Sequence, residues 1–317
     1  MTLQSSGAIS LDDMHVELSQ SSGTECSIND SDIRGLIGKS DGATMAFNEW
    51  YGASNIRYIT ATGGTQYTSG NYRFHVFNSS GTFNITQSAV GVSNSIDYMI
   101  IAGGASGGTS KNSSYTANAG GGGGAGGYIT GSFTASAGAK SVTVGGGGAQ
   151  QQNGGSAGGS NSSIAGVATA TGGGGGGYYD QNFSGNARYK TFSGGSGGGG
   201  VCRSNGGGVA GGSGISGQGN NGSQADYISH HFGSNRYDIG GAGGGGGKGS
   251  SPSPNSYYIY QVGSSVNMSH PGGTGSNTGV ANYGSASRAG GGGGGVHLAL
   301  NLFWSSSSFP RPWGGGG

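Results

Sequence analysis

The sequence predicts a protein that is mostly irregular and β. It opens with a small α-helical N-terminal module, continues through short β-hairpins, and ends in a slab of packed polyglycine type II helices with long aromatic loops. Three observations lead there. Glycine occurs 80 times in 317 residues and is gathered in blocks at 120–124, 145–148, 172–177, 197–200, 206–208, 243–247, 290–295 and 314–317. Segments of opposite character separate them, such as YYDQNFSGNARYKTF at 178–192 and ADYISHHFGSNRYDI at 225–239. Ahead of the blocks lie helix-start and strand signals of ordinary type.

The first 56 residues form the expected mounting module. Ser10-Leu11-Asp12-Asp13 has the pattern of a capping box opening a helix through about Leu18. SINDSDIRGLIG at 27–38 offers a second short helix ending near Gly35 or Gly38, and FNEWYG at 47–52 supplies bulky anchors. This module is too short to build a large core.

Residues 57–101 form the expected β-hairpin connecting element. YRFHVFNSSGTFNIT at 72–86 reads as a hairpin turning at Asn78-Ser79-Ser80-Gly81, and DYMIIA at 97–102 as a short apolar strand. YITGSF at 128–133 and KSVTV at 140–144 read as a second hairpin.

Residues 102–317 form the glycine-rich slab. Ordering a backbone residue costs about 1–2 kcal/mol, and glycine loses the most freedom. Without side chains the blocks must recover that cost through backbone hydrogen bonds, worth about 0.5–1.5 kcal/mol net each. A polyproline-II helix has no internal hydrogen bonds, so its N–H and C=O groups point sideways. Glycine alone lets such helices pack on every side. A buried helix is therefore expected to be pure glycine, with the interrupted stretches 103–108, 154–159 and 211–219 at the slab surface. If consecutive blocks alternate in direction, loops 178–193 and 220–239 share an end, while 248–271 and 296–313 lie opposite or pack onto the β-element.

Composition excludes several classes. There is no G-X-Y period and only five prolines, so the chain is not collagen. Charged residues are 8% and aromatics 9%, unlike a disordered chain. A net charge of +1 implies no nucleic-acid partner. No run of about 18 apolar residues occurs, so no membrane insertion is expected. The N-terminus lacks the basic and apolar regions of a secretory signal. Cys26 and Cys202 are too few for a disulfide framework and are expected as free thiols. These features together suggest synthesis in a cytoplasm.

NYRFHVFNSSGTFNIT, DYMIIAGGASGG and AGGGGGAGGYITGSF together resemble the glycine-rich domain of bacteriophage tail proteins, over roughly residues 70–175. SGTECSINDSDIRGLIG and FNEWYG resemble a short module near the start of phage tail-fibre and structural proteins. The alternation of glycine blocks with aromatic loops is similar to the adhesins that tip the long tail fibres of T-even-like phages. In those, a polyglycine-II sandwich presents distal loops to a host receptor. The N-terminal module here does not resemble their attachment domain. The resemblance implies a virion protein made in the host cytoplasm, mounted through residues 1–56 on another tail or fibre protein. Its host partner would be a surface receptor, protein or polysaccharide. The competing reading is a structural tail, fibre or capsid-surface protein without specific receptor binding. Ice binding would need a flat face of small residues and a G-x-x period, and neither occurs.

The candidate receptor-binding residues are the aromatic and basic residues of two loops, types that dominate binding hot spots. They are Tyr178, Tyr179, Phe183, Arg188, Tyr189, Lys190 and Phe192 in the first, and Tyr227, His230, His231, Phe232, Arg236 and Tyr237 in the second. The bland alternative is that these side chains fold back over the slab as caps. No catalytic set is read and no cofactor is expected. Gly38-Lys39-Ser40 lacks the first glycine of a phosphate loop, since Ile33 stands there. His230-His231 with Asp226 falls short of a complete metal-ligand set. Of the later acids, Asp180, Asp226 and Asp238 give no glycosidase pair.

Overall fold

The structure, a computed structural model, describes residues 2–109, 120–151, 154–179, 189–201 and 208–225, and the strand backbone of 226–232, 235–241, 258–262, 265–270 and 279–282. Strands and irregular segments dominate, and the described residues include only two α-helices. The chain divides into two units, one of Met1–His75, Phe83–Asp97 and Ser132–Ala139, the other of Val76–Thr82, Tyr98–Gly131 and Lys140–Gly317.

In the first unit, α1 (Leu11–Glu17) starts at the expected capping box. Ser10 Oγ accepts the Asp13 N–H at 3.1 Å, and Asp13 Oδ2 accepts the Ser10 N–H at 2.7 Å. Helix α2 (Ser31–Gly35) and a 3-10 turn (Phe47–Trp50) follow. Their apolar residues converge on Leu3, Met14, Ile33 and Trp50. Trp50 is fully buried and donates its indole N–H to Ile33 O at 3.2 Å.

Two buried charges tie this small core to its loops. Arg34 donates from Nε and Nη2 to Asn29 Oδ1 at 3.0 and 2.6 Å, and from Nη1 to Ser40 O at 2.8 Å. Glu17 accepts the Asn55 N–H at 3.0 Å and the Ser54 hydroxyl at 3.3 Å. Pairing of this kind offsets the desolvation of a buried charge. Lys39, in the discarded phosphate motif, bonds Glu49 at 2.7 Å and Thr44 O at 3.2 Å, a structural role.

The expected strands form as β3 (Tyr72–Val76), β4 (Gly81–Gln87), β5 (Ser95–Ile101), β6 (Tyr128–Thr134) and β7 (Gly138–Thr143), but with different partners, and two strands that were not expected, β1 (Thr60–Thr62) and β2 (Thr65–Ser69), precede them. The 72–86 hairpin is corrected: β3 pairs with β2, and β4 pairs antiparallel with β1 through Ala61↔Ile85 and Thr62↔Asn84. Gly70, at φ +56°, makes the tight β2–β3 turn that wins over Asn78–Gly81. The second hairpin is corrected too. β6 pairs with β5, while β7 leads into the meander of β8 (Ser162–Ile164) and β9 (Ala168–Ala170).

The second unit contains a lattice of glycine-rich runs in which every third residue bonds the same neighbour. Ala102, Ala105 and Gly108 donate to Gly127, Gly124 and Gly121 at 2.9, 2.9 and 2.8 Å. Gly121, Gly124 and Gly127 in turn donate to Gly177, Gly174 and Thr171 at 2.7, 2.8 and 2.7 Å. Ser196 and Gly199 reach Ala125 and Gly122, again three apart. Run 120–127 is thus bonded to three runs: Gly121, Gly124 and Gly127 accept from 102–109 and donate to 171–177, while Gly122 and Ala125 accept from 194–201. Runs 120–127, 172–177 and 194–201 are buried. A small apolar cluster of Ile100, Ala102 and Ala170, flanked by Tyr98, Ile129 and Ile164, joins the lattice to its adjacent strands.

No glycine of these buried runs has a positive φ. Glycine is required there by closeness, because a methyl on Gly126 would fall on the Ala102 carbonyl, and one on Gly198 on the Gly175 carbonyl. The expectation of pure glycine in buried runs is corrected at Ala125 and Ser196, both fully buried. Run 103–108, expected at the surface, buries Ala105 and Ser106. The close approaches are specific to position. Gly146 has nothing within 4 Å of the place a methyl would take, so the lattice admits small side chains at some levels only.

Candidate functional site

The bond directions sort the two ends of the lattice. Gly173 and Gly176 donate to Gly103 and Ser106, Gly174 and Gly177 to Ser196 and Gly199, and Gly197 and Gly200 to Asn220 and Ser223. Rising numbers on both sides mean that runs 102–109, 171–177, 194–201 and 219–225 point the same way. Falling numbers make 120–127, 154–161 and 208–214 antiparallel to them. Gly148 donating to Gly104, with Ser160 donating to Gly146, sets run 144–149 parallel to 102–109.

One end therefore carries residues 102, 127, 144, 161, 171, 194, 214 and 219. It is closed by the strands β5 to β9 and by the turn at 216–218, where Gly217 has φ +79°. The other end carries residues 109, 120, 149, 154, 177, 201, 208 and 225; the connections 110–119, 150–153 and 202–207 begin and end there, and the chain leaves it after Gly177 and after Ala225. Segments 110–119, 152–153, 180–188 and 202–207, which follow from these ends, lie outside the described residues.

Strict alternation of consecutive runs is corrected, because 171–177 and 194–201 are parallel. The physical reason lies in the intervening segment. Tyr178–Tyr179 (β10) pairs with Tyr189–Lys190 (β11), Tyr178 opposite Lys190 and Tyr179 opposite Tyr189. The chain then returns along the lattice, with Phe192 O accepting the Gly198 N–H at 3.0 Å, before starting the next run. Even so, Tyr178 and Asp226 both leave from the C-terminal ends of parallel runs, and so from the same end.

The described candidates of the first loop are brought together. The rings of Tyr178 and Phe192 stack at 5.8 Å and 24°, and those of Tyr179 and Tyr189 meet at 5.3 Å and 54°. Tyr178, Tyr179, Tyr189 and Lys190 are half-buried, whereas Phe192 is 37% exposed. Pairing holds the rings rigid while leaving part of each surface open. Phe183 and Arg188 lie outside the described residues.

The second candidate segment forms a hairpin where a loop was expected. β12 (Asp226–Phe232) pairs antiparallel with β13 (Asn235–Gly241), placing His230 opposite Tyr237, His231 opposite Arg236 and Phe232 opposite Asn235. Tyr227 stands opposite Gly240. Further on, β14 (Tyr258–Val262), β15 (Ser265–His270) and β16 (Gly279–Asn282) form an antiparallel three-stranded sheet. Residues 296–313 lie outside the described residues.

Sequence reasoning missed Gln218, which sits in the turn at the strand end. Its Oε1 accepts the Thr171 N–H at 2.8 Å and its carbonyl accepts the Tyr128 N–H at 3.0 Å, so one residue locks two chain crossings. A glutamine among glycines and serines gives no signal of this. Among the described residues, no three His, Cys, Asp or Glu gather into a metal-binding group, and no helix is long and apolar enough to cross a membrane. Comparison with protein-family models, curated proteins and solved structures finds no match to this chain.

Proposed function

We propose that this chain is a bacteriophage tail-fibre adhesin, a non-enzymatic virion protein that recognises a host cell surface. Its glycine runs are polyglycine type II helices, and its aromatic loops are the contact surface. The three-residue step of the hydrogen bonds supports the helix assignment, because a threefold helix returns its N–H to one direction every third residue.

The observation that carries the functional reading is the asymmetry of the lattice ends. One end is closed by strands and a tight turn. At the other, connections 110–119 and 202–207 begin and end, and the two segments rich in Tyr, Phe, Arg and His depart after Gly177 and Ala225. Rigid scaffolds that display variable loops at one end are the common design of recognition proteins. Rigid aromatics contribute contact area at low entropic cost. Residues 1–56 mount the adhesin on a tail or fibre protein, and the receptor is a host surface protein or polysaccharide.

The test is binding of the purified protein to whole host cells, before and after protease treatment of the cells. Binding lost on protease treatment identifies a protein receptor, and binding that survives identifies a polysaccharide. Absence of binding to untreated cells overturns the adhesin reading in favour of a structural virion role.

A further inference from the structure

The two flanks of the lattice are finished differently. Hydrogen bonds link its runs from 144–149, through 154–161, 102–109, 120–127, 171–177 and 194–201, to 208–214 and 219–225. On the far flank the exposed residues of 208–214 and 219–225 all carry side chains: Ala210, Ser213, Asn221 and Gln224. Asn221 Oδ1 accepts the Gly214 N–H at 2.9 Å, and Gln224 Nε2 donates to Gly208 O at 3.2 Å. Amide side chains thus take up the backbone groups of that flank.

The near flank is bare. Gly146 and Gly147 are exposed, and their N–H groups and the Gly147 carbonyl have no hydrogen-bond partner among the described residues. Neither glycine has a positive φ, so backbone conformation does not require it. Nothing lies within 4 Å of a methyl placed on Gly146, and one on Gly147 would meet Gly104 O at an ordinary 3.5 Å. Within one chain alanine would fit both places and restrict the unfolded state. In the buried runs, glycine marks the close approach of another backbone, as at Gly126 and Gly198. The stretch VGGGGAQ at 144–150 also lacks the charges and prolines that blunt an open edge.

We propose that this flank is an interface between two copies of the chain, run 144–149 of one lying antiparallel against the same run of the other. The N–H groups of Gly146 and Gly147 donate to carbonyls of the second copy, and the twofold relation returns the bonds. The run already takes an antiparallel neighbour on its other side, where Ser160 donates to Gly146 O at 2.9 Å. The contact therefore continues the established lattice from one copy into the next. No charge stands on the run to repel its twin. A six-residue run spans about 19 Å, too little to bury the roughly 800 Å² per partner of a stable dimer. Association is accordingly weak, with a Kd of about 0.1–1 mM. It does not rest on the adhesin reading.

The experiment is sedimentation velocity of the full-length protein from about 10 μM to about 1 mM, a range that brackets a contact of this strength. Amide hydrogen exchange is followed at both limits. The chain should pass from monomer to dimer, and the Gly146 and Gly147 amides should gain protection as it does. Gly146→Ala places its methyl in the contact and leaves the single chain folded, so it should raise the Kd about tenfold or more. Ser213→Ala, on the far flank, should leave the Kd unchanged. A chain that stays monomeric throughout overturns the proposal, as does a dimer that Gly146→Ala fails to weaken or that Ser213→Ala weakens equally. Slow exchange of both amides already at the lowest concentration overturns it too, because another segment of the same chain would then cover the flank. No host cell enters the measurement, so its failure leaves the adhesin reading standing.

Discussion

Gly173 lies so close to Gly124 that a methyl group on Gly173 would fall inside the van der Waals shell of the Gly124 carbonyl oxygen. Gly124 meanwhile donates its N–H to Gly174, at 2.8 Å. The same closeness that makes the bond excludes every side chain. Gly173→Ala should therefore destabilise the glycine unit by about 1–3 kcal/mol, the cost of overpacking. Gly146 has a negative or extended φ and open space where a methyl would stand. Gly146→Ala should stabilise by about 0.4–1 kcal/mol through the unfolded chain. Paired thermal melts check this, and equal shifts for the two variants would refute the packing argument.

The N-terminal module depends on one side chain more than any other. Trp50 is fully buried beside Met14 and Ile33, and its indole N–H satisfies the Ile33 carbonyl. Trp50→Ala should cost about 3–5 kcal/mol. A core this small has little stability in reserve, so the module should unfold while the glycine unit persists. Amide hydrogen exchange measures both: loss of protection at Leu18 and Arg34, with protection kept at Gly121 and Gly124, is the expected result.

Acid should loosen the same module. Asp12 is held below the usual carboxylate range first by the Gly23 N–H and then by the Ser22 hydroxyl. Asp13 is lowered by the Ser10 hydroxyl and backbone, and Glu49 by Lys39 and then the Ala46 N–H. A depressed folded pKa contributes stability that is complete above the unfolded value and lost as pH falls through the folded one. The decline should begin below about pH 4 and be shallow, since these groups are solvent-exposed. Asp13→Asn should lower stability at neutral pH and flatten the acid limb in urea titrations from pH 7 to pH 3.

Local chemistry was readable from the sequence, and long-range pairing was not. The Ser10 and Asp13 capping box needs only residues three apart, and it formed where expected. Strands β3 to β7 also lie where apolar and β-branched residues cluster. Their partners depend on which turn closes first, and Gly70-Asn71 displaced the plainer signal at Asn78–Gly81. In the glycine runs, side chains carry no register information at all. The parallel relation of 171–177 to 194–201 is set by the return of Phe192 along the lattice, a contact that no local pattern encodes. Gln218 was illegible for the same reason, since its partners Thr171 and Tyr128 are distant in sequence.

The two ends of the lattice should respond oppositely to surgery. Replacing 180–188 by a short glycine-serine link leaves the Tyr179–Tyr189 ring pair to close the ribbon. Inserting a peptide tag at Gly166, in the turn between β8 and β9 at φ +72°, disturbs only the strand end. If recognition belongs to the end bearing residues 109, 177 and 225, the first change should abolish adsorption to host cells with Tm held within a few degrees. The second should leave adsorption intact, because exposed turns accept insertions. Adsorption lost through the Gly166 tag, or kept after removal of 180–188, would move the contact surface away from the first loop. Measured on the same purified proteins, melting and cell binding separate a broken scaffold from a missing contact.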